Sequence, residues 1–271
     1  MLALAGGAEP AELTIDAPPP LAAAADRVRA IDLSQLEADL RRAGLVLPER
    51  IAVVLLPEDD PRARAIPVWV VGLAAGAQDV VILPQRVLAY PYDSIESVFR
   101  HEVAHLALSA RAGGRPLPRW FHEGVAMSVD AGWSLSGQLR LLFEMSKGPG
   151  TEDLGRLFAA GSQPDTALAY ALSAALVADL QRRHGAGVVG EIATHVGEGV
   201  GFARAFELVT SESPDAAAGR AWGVYRTWTA WVPALTGGTA MWAAILGLAA
   251  AAYAVRRRRR AQRRRLWDDE D

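Results

Sequence analysis

Apolar residues along this chain switch between helical and strand-like spacing, and the switches mark its elements. Between Leu21 and Arg42, Val28, Ile31, Leu36 and Leu40 recur at helical intervals, and Gly44 offers a C-terminal stop. Three short, β-branched runs follow, Ile51–Leu56, Ile66–Val71 and Val80–Leu83, separated by Pro, Gly and Asp; they predict strands. The pattern then returns to helix from about Ser94 to Arg111, ends at Gly113-Gly114, passes through a loop shaped by Pro116 and Pro118, and resumes near Trp120. Everything beyond reads as helical: Thr151 to Ala160, Pro164 to His184 with Gly185 just past its end, Ala186 to Val196, Phe202 to Val209, and a last segment opened by Ser213-Pro214. The predicted fold class is α+β: a small mixed sheet packed on the helix around residues 94–111, then a mostly helical half.

Two stretches differ from this pattern. Residues 1–20 are apolar and small at the start and end in Pro18-Pro19-Pro20, which predicts either a tail or a signal-peptide remnant joined by a Pro-rich linker. Near the other end, Ala234–Val255 runs for 22 residues without a charge, long enough to cross a hydrocarbon core of about 30 Å. Trp228, Trp231 and Trp242 lie toward one end of it and eight arginines follow the other, in residues 256–265. The expected organisation is therefore a globular domain over 21–232, a transmembrane helix over 234–255, and an Arg-rich then acidic tail over 256–271. Basic flanks stay cytoplasmic, so the domain is expected on the extracytoplasmic side of a cell membrane, crossed once.

Charge sharpens that picture. The net charge of −3 becomes −7 once the eight tail arginines and the four acids 268–271 are set aside, so the body is acidic and offers no footprint for nucleic acid. A juxtamembrane arginine run is attracted to anionic lipid, which accounts for it without nucleic acid. Gly247 and Ala251 form a small-xxx-small pair that permits helix-mediated self-association. Cysteine is absent, which excludes disulfides and thiolate metal sites.

The chemistry concentrates at His101-Glu102-Val103-Ala104-His105, an H-E-x-x-H motif. Residues four apart share one helical face, so His101 and His105 can reach the same ion. Glu102 stands where a carboxylate can take a proton from water activated by that ion. A catalytic zinc needs a third protein ligand and an open position. The following helix, Trp120-Phe121-His122-Glu123-Gly124-Val125-Ala126, supplies candidates in His122 and Glu123, of which only one can face the ion because adjacent helical residues point about 100° apart.

H-E-x-x-H followed by W-x-x-E-G-x-A resembles the gluzincin branch of the zincin peptidases, and more narrowly the peptidase MA-like domains of bacteria. The resemblance spans roughly residues 51–231, but only the two motif helices are specific. It implies one zinc ion per chain, held by His101, His105 and Glu123, with Glu102 as general base and a peptide or protein as substrate. Residues 106–122 separate the second His from the Glu, one residue fewer than in the aminopeptidase-N type, a deletion the Gly/Pro loop can absorb. His122 is then a neighbour of the site. Related aminopeptidases carry a G-x-M-E-N segment whose Glu holds the free amine; the corresponding Gly72–Ala77 has no Glu, which points to cleavage within a chain. An extended substrate is expected to pair with an edge strand, for which Val80–Leu83 is the candidate. Tyr170 stands as a possible oxyanion donor against an ordinary core role, and His184 and His195 read as solvated.

Other readings stay open. A site of this type also accepts cobalt or manganese. The chain can instead be a catalytically inactive, zinc-stabilised envelope protein that binds a partner. An intramembrane protease is disfavoured because Glu96, Arg100 and Arg111 flank the motif.

Overall fold

The computed structural model describes residues 11–87, 94–129, 154–160 and 163–221, with Leu246 beyond them. The chain divides into two units, Met1–Trp222 and Gly223–Asp271. Apart from Leu246, the predicted membrane helix 234–255 and the tail 256–271 lie outside the described residues. Among the described residues, no helix is long and apolar enough to cross a membrane.

The first unit is a mixed α/β fold. Strand β1 (Glu12–Asp16) leads through α1 (Ala22–Arg29) and α2 (Leu33–Arg42) to β2 (Arg50–Leu55); a short α3 (Pro61–Ala65) precedes the hairpin of β3 (Gly72–Ala75) and β4 (Asp79–Ile82). Helices α4 (Ile95–Arg111), α5 (Arg119–Val129), α6 (Leu154–Ala160), α7 (Gln163–His184), α8 (Val188–Gly197) and α9 (Phe202–Thr210) follow, and residues 214–221 are helical too. The sheet order is β1-β2-β4-β3, with β1, β2 and β4 parallel and β3 antiparallel to β4.

Alternation sets the faces of the sheet. Ile51, Val53 and Leu55 of β2 and Val80 and Ile82 of β4 are buried on one face, toward the helical side. Val54 and Val81 point the other way, where they join Ile66 on a small cluster of Leu56, Ala63 and Leu83 under α3. Helix α4 lies against the β3–β4 hairpin and against α1, α2, α5 and α8. Its apolar side chains Val98, Phe99, Val103, Leu106 and Leu108 are almost fully buried, each contributing about 1.5–3 kcal/mol. Ser94 caps the start of α4 by accepting from the backbone N–H of Ser97, and Gly113, at φ +62°, follows its end.

The structure corrects the sequence reading at four places. Residues 12–16, read as part of a tail, form β1 and pair in register with β2, Leu13 opposite Ile51 and Ile15 opposite Val53. The helical stretch 21–42 is two helices, because Asp32 turns out of helix and accepts from the N–H groups of Ser34 and Gln35 as a cap. Residues 66–71 are not a strand. Buried Arg86 donates to the carbonyls of Ala63, Ile66, Pro67 and Val70, and Pro67 lacks a donor, so this segment has little left to offer a ladder. The strand comes just after, at Gly72–Ala75. Finally, Val80–Leu83 is not an edge: β4 lies between β2 and β3, and β3 is the edge strand beside α4.

One buried ion pair ties the helices together. Arg100 of α4 pairs with Asp39 of α2, both side chains 8% exposed, and also donates to the Val129 carbonyl at the end of α5 at 3.0 Å. Gln35 donates to Asp39 at 3.0 Å and Arg42 pairs with it from the solvent side. Burial alone would raise the Asp39 carboxyl, but its contacts with Arg100, Arg42 and Gln35 hold it below the usual value. A carboxyl depressed on folding contributes stability that is present above the unfolded value near ~3.9 and is lost as pH falls through the folded one. Asp39→Ala leaves Arg100 buried without its counter-ion and is expected to cost about 3–5 kcal/mol in urea unfolding at pH 7, with the difference from wild type shrinking in acid.

Candidate metal centre

The two motif histidines lie one turn apart on α4, with ring centroids 4.7 Å apart and planes at 86°. Their Nε2 atoms are 3.1 Å apart. Glu123 reaches in from α5, its Oε2 lying 3.3 Å from His101 Nε2 and 3.5 Å from His105 Nε2. His101 is 1% exposed and Glu123 8%, whereas the His105 side chain is 16% exposed and marks the more open side.

The donor set fits a tetrahedral ion. Zinc–nitrogen and zinc–oxygen bonds of about 2.0–2.1 Å place neighbouring ligand atoms about 3.3 Å apart on a tetrahedron, and the three observed separations bracket that value. The facing imidazole nitrogens at 3.1 Å can share a proton as donor and acceptor, or both turn a lone pair to a cation. A shared proton serves one pair of atoms at a time; a cation serves all three at once.

Helix packing delivers Glu123. A Cβ on Gly124 would stand 2.4 Å from the Ser173 carbonyl oxygen and 2.6 Å from the Val177 side chain, so α5 lies against α7 more closely than any residue with a side chain allows. The same contact sets Tyr170, one turn before Ser173, beside the imidazoles, its ring 6.5 Å from that of His101. Burial and the negative charge of Glu123 push the Tyr170 hydroxyl up, so it stays a proton donor at neutral pH.

The ionisable groups settle differently. Burial would raise Glu123, but its contacts with both histidines outweigh that and hold it low, as an anion. His105 is raised: burial opposes its charge, and contact with Glu123 overcomes the opposition. Burial raises Glu102, against the pull of His105 and His101 and of a hydrogen bond from the Ala74 backbone N–H. Glu102 is outside the ligand cluster and reaches toward β3. There, Gly72 leaves it room: a Cβ on Gly72 would lie 3.1 Å from the Glu102 side chain and 2.6 Å from that of Val98.

Among the described residues, the cluster able to hold an ion consists of His101, His105 and Glu123, all ligand atoms lying within 4.8 Å of one another. His122, the rival for the third position, is outside it. Its ring is tilted against that of His105 at 5.5 Å, and burial followed by the neighbouring His105 charge lowers it to about 4, so it is neutral at pH 7. His184 and His195 belong to separate clusters, near Glu212 and Glu198. The sequence reading passed over Phe158 and Arg119, and took Gly72 only as the start of a segment without Glu. Arg119 had a readable signal, since it precedes Glu123 by four positions on one helix.

Comparison of the chain with protein-family models, with curated proteins and with solved structures finds no match in any of the three.

Gly124→Ala is expected to destabilise the fold by about 1–3 kcal/mol through overpacking and to weaken metal uptake by displacing Glu123. Gly155→Ala, on α6 where a Cβ meets nothing within 4 Å, serves as the matched control: it should stabilise by up to about 1 kcal/mol through helix propensity and leave metal uptake unchanged. Denaturant unfolding and metal analysis of the two variants test the pair.

Proposed function

We propose that this chain is a membrane-anchored, zinc-dependent peptidase of the gluzincin type, hydrolysing peptide bonds within a chain. The observation that supports it most is the triangle of two imidazole nitrogens and one carboxylate oxygen at tetrahedral spacing, with a buried carboxylate next in sequence to the first histidine.

His101, His105 and Glu123 would hold the ion. A divalent cation in such a site polarises a carbonyl and makes water more acidic. Glu102 acts as the base: its buried carboxylate accepts the proton of the attacking water and passes it to the leaving amine. The hydrogen bond from Ala74 N–H orients that carboxylate and works against the upward push of burial. Edge strand β3, beside the same carboxylate, offers backbone to an extended substrate. Its sequence Gly72-Leu73-Ala74-Ala75 carries no carboxylate to receive a free amine, which favours internal cleavage over removal of N-terminal residues.

The reading of a zinc-stabilised binding protein makes the opposite forecast for one variant. In a peptidase, Glu102→Gln keeps about one zinc per chain while hydrolysis of an unstructured protein such as casein falls by roughly 10²–10⁴. His101→Ala loses the metal as well. Full function in the Glu102→Gln protein, or metal-free wild type, rules out the proposal.

The anchor rests on Ala234–Val255 and its flanks. The full chain is expected to sediment with membranes and to resist extraction at alkaline pH, whereas a chain ending at Val232 is released. Recovery of the full chain in the soluble fraction would refute the anchor without touching the metal site.

A further inference from the structure

The two oxygens of Glu123 have different partners. Oε2 faces His101 and His105 at 3.3 and 3.5 Å, while Oε1 accepts from Arg119 Nε at 3.4 Å. Arg119 opens α5 one turn before Glu123, so the two side chains lie on one face. We infer that Arg119 is a positioning residue for the third metal ligand, holding Oε1 so that Oε2 alone is presented to the ion. The inference rests on the reading of His101, His105 and Glu123 as a metal site.

An exposed ion pair one helical turn long is normally worth little, because a mobile arginine spends its time elsewhere. Arg119 is 55% exposed, yet it is braced. Its guanidinium carbon stacks 4.5 Å over the ring of Phe158 on α6. Phe158 meets Tyr170 of α7 edge-on, centroids 5.6 Å apart at 89°, and Tyr170 in turn meets His101. The brace therefore closes a circuit from α5 through α6 and α7 to α4. Its anchor point, Glu123, is 10% exposed at the side chain, so the bond is shielded on one side from water.

The chemistry gives the arrangement a purpose. A ligating carboxylate free to turn can offer both oxygens, which adds a protein ligand and fills the position that catalysis needs open. A guanidinium N–H on the outer oxygen removes that option, as outer partners of metal ligands generally fix ligand orientation. Charge alone works in the opposite sense, since a guanidinium beside a cation site repels the cation. Orientation and repulsion therefore predict opposite changes when Arg119 is removed.

The test uses the full chain, wild type beside Arg119→Ala, Arg119→Lys and Phe158→Leu, titrated with cobalt and, in competition with a chromophoric chelator, with zinc. Circular dichroism of each metal-free variant checks that the fold is intact. With Arg119 removed, affinity should fall about 10–100-fold, and the visible cobalt bands should weaken as coordination number rises. Lysine retains the charge but lacks the planar guanidinium that stacks on Phe158, and should not restore either property. Phe158→Leu should fall between wild type and Arg119→Ala. Unchanged affinity and spectrum in Arg119→Ala, tighter binding in that variant, or full rescue by lysine each refute the positioning role while leaving the metal site standing. A wild-type chain that takes up neither cobalt nor zinc refutes the site itself.

Discussion

Three consecutive ionisable side chains, Arg100, His101 and Glu102, are buried on one turn of α4. A buried charge without a partner is among the costliest features a fold can carry, so each must be matched. Neighbouring helical residues point about 100° apart, and the partners must therefore come from three directions. Asp39 on α2 and the Val129 carbonyl answer Arg100; Glu123 on α5 and His105 answer His101; the Ala74 N–H on β3 answers Glu102. Much of the domain architecture follows from that requirement. A helix enclosed on all sides needs a sheet, a preceding helical pair and a following helix around it, and the element contacts of α4 supply them.

The same requirement separates two roles within one motif. His101 and His105 share a face and meet Glu123, while Glu102 leaves in another direction toward the edge strand. Close helix contacts at glycine carry this out. Gly124 lets α5 approach α7, and Gly72 leaves the volume that Glu102 occupies. Both glycines are adjacent to chemistry in space without performing any.

Much of this was legible in the sequence because the signals were local. The helix at 95–111, the helix starting near Trp120 and the helices of the second half all announce themselves by periodicity and end signals. His101 and His105 did so by spacing, whereas Glu123 was set apart from His122 by the family resemblance. What escaped depended on distant partners. Strand β1 has only Leu13 and Ile15 as apolar positions, and its pairing with β2 lies across two helices. Strand β3 is Gly-Leu-Ala-Ala, poor in β-branched residues, whereas the β-branched segment before it is drawn off by Arg86. Arg86 is twenty residues from Ile66, and nothing in the local pattern advertises the capture.

The Asp39–Arg100 pair also acts as an index mark. Turning α4 about its axis by a single residue would swing Arg100 away from α2 and Val129, so the helix has one admissible azimuth whatever occupies the cluster beside it. The imidazoles are thereby aimed by an interaction that contains no metal. In small zinc-nucleated domains, by contrast, folding and ion uptake are one event. The Asp39–Arg100 contact instead fixes the direction of α4 through protein groups alone.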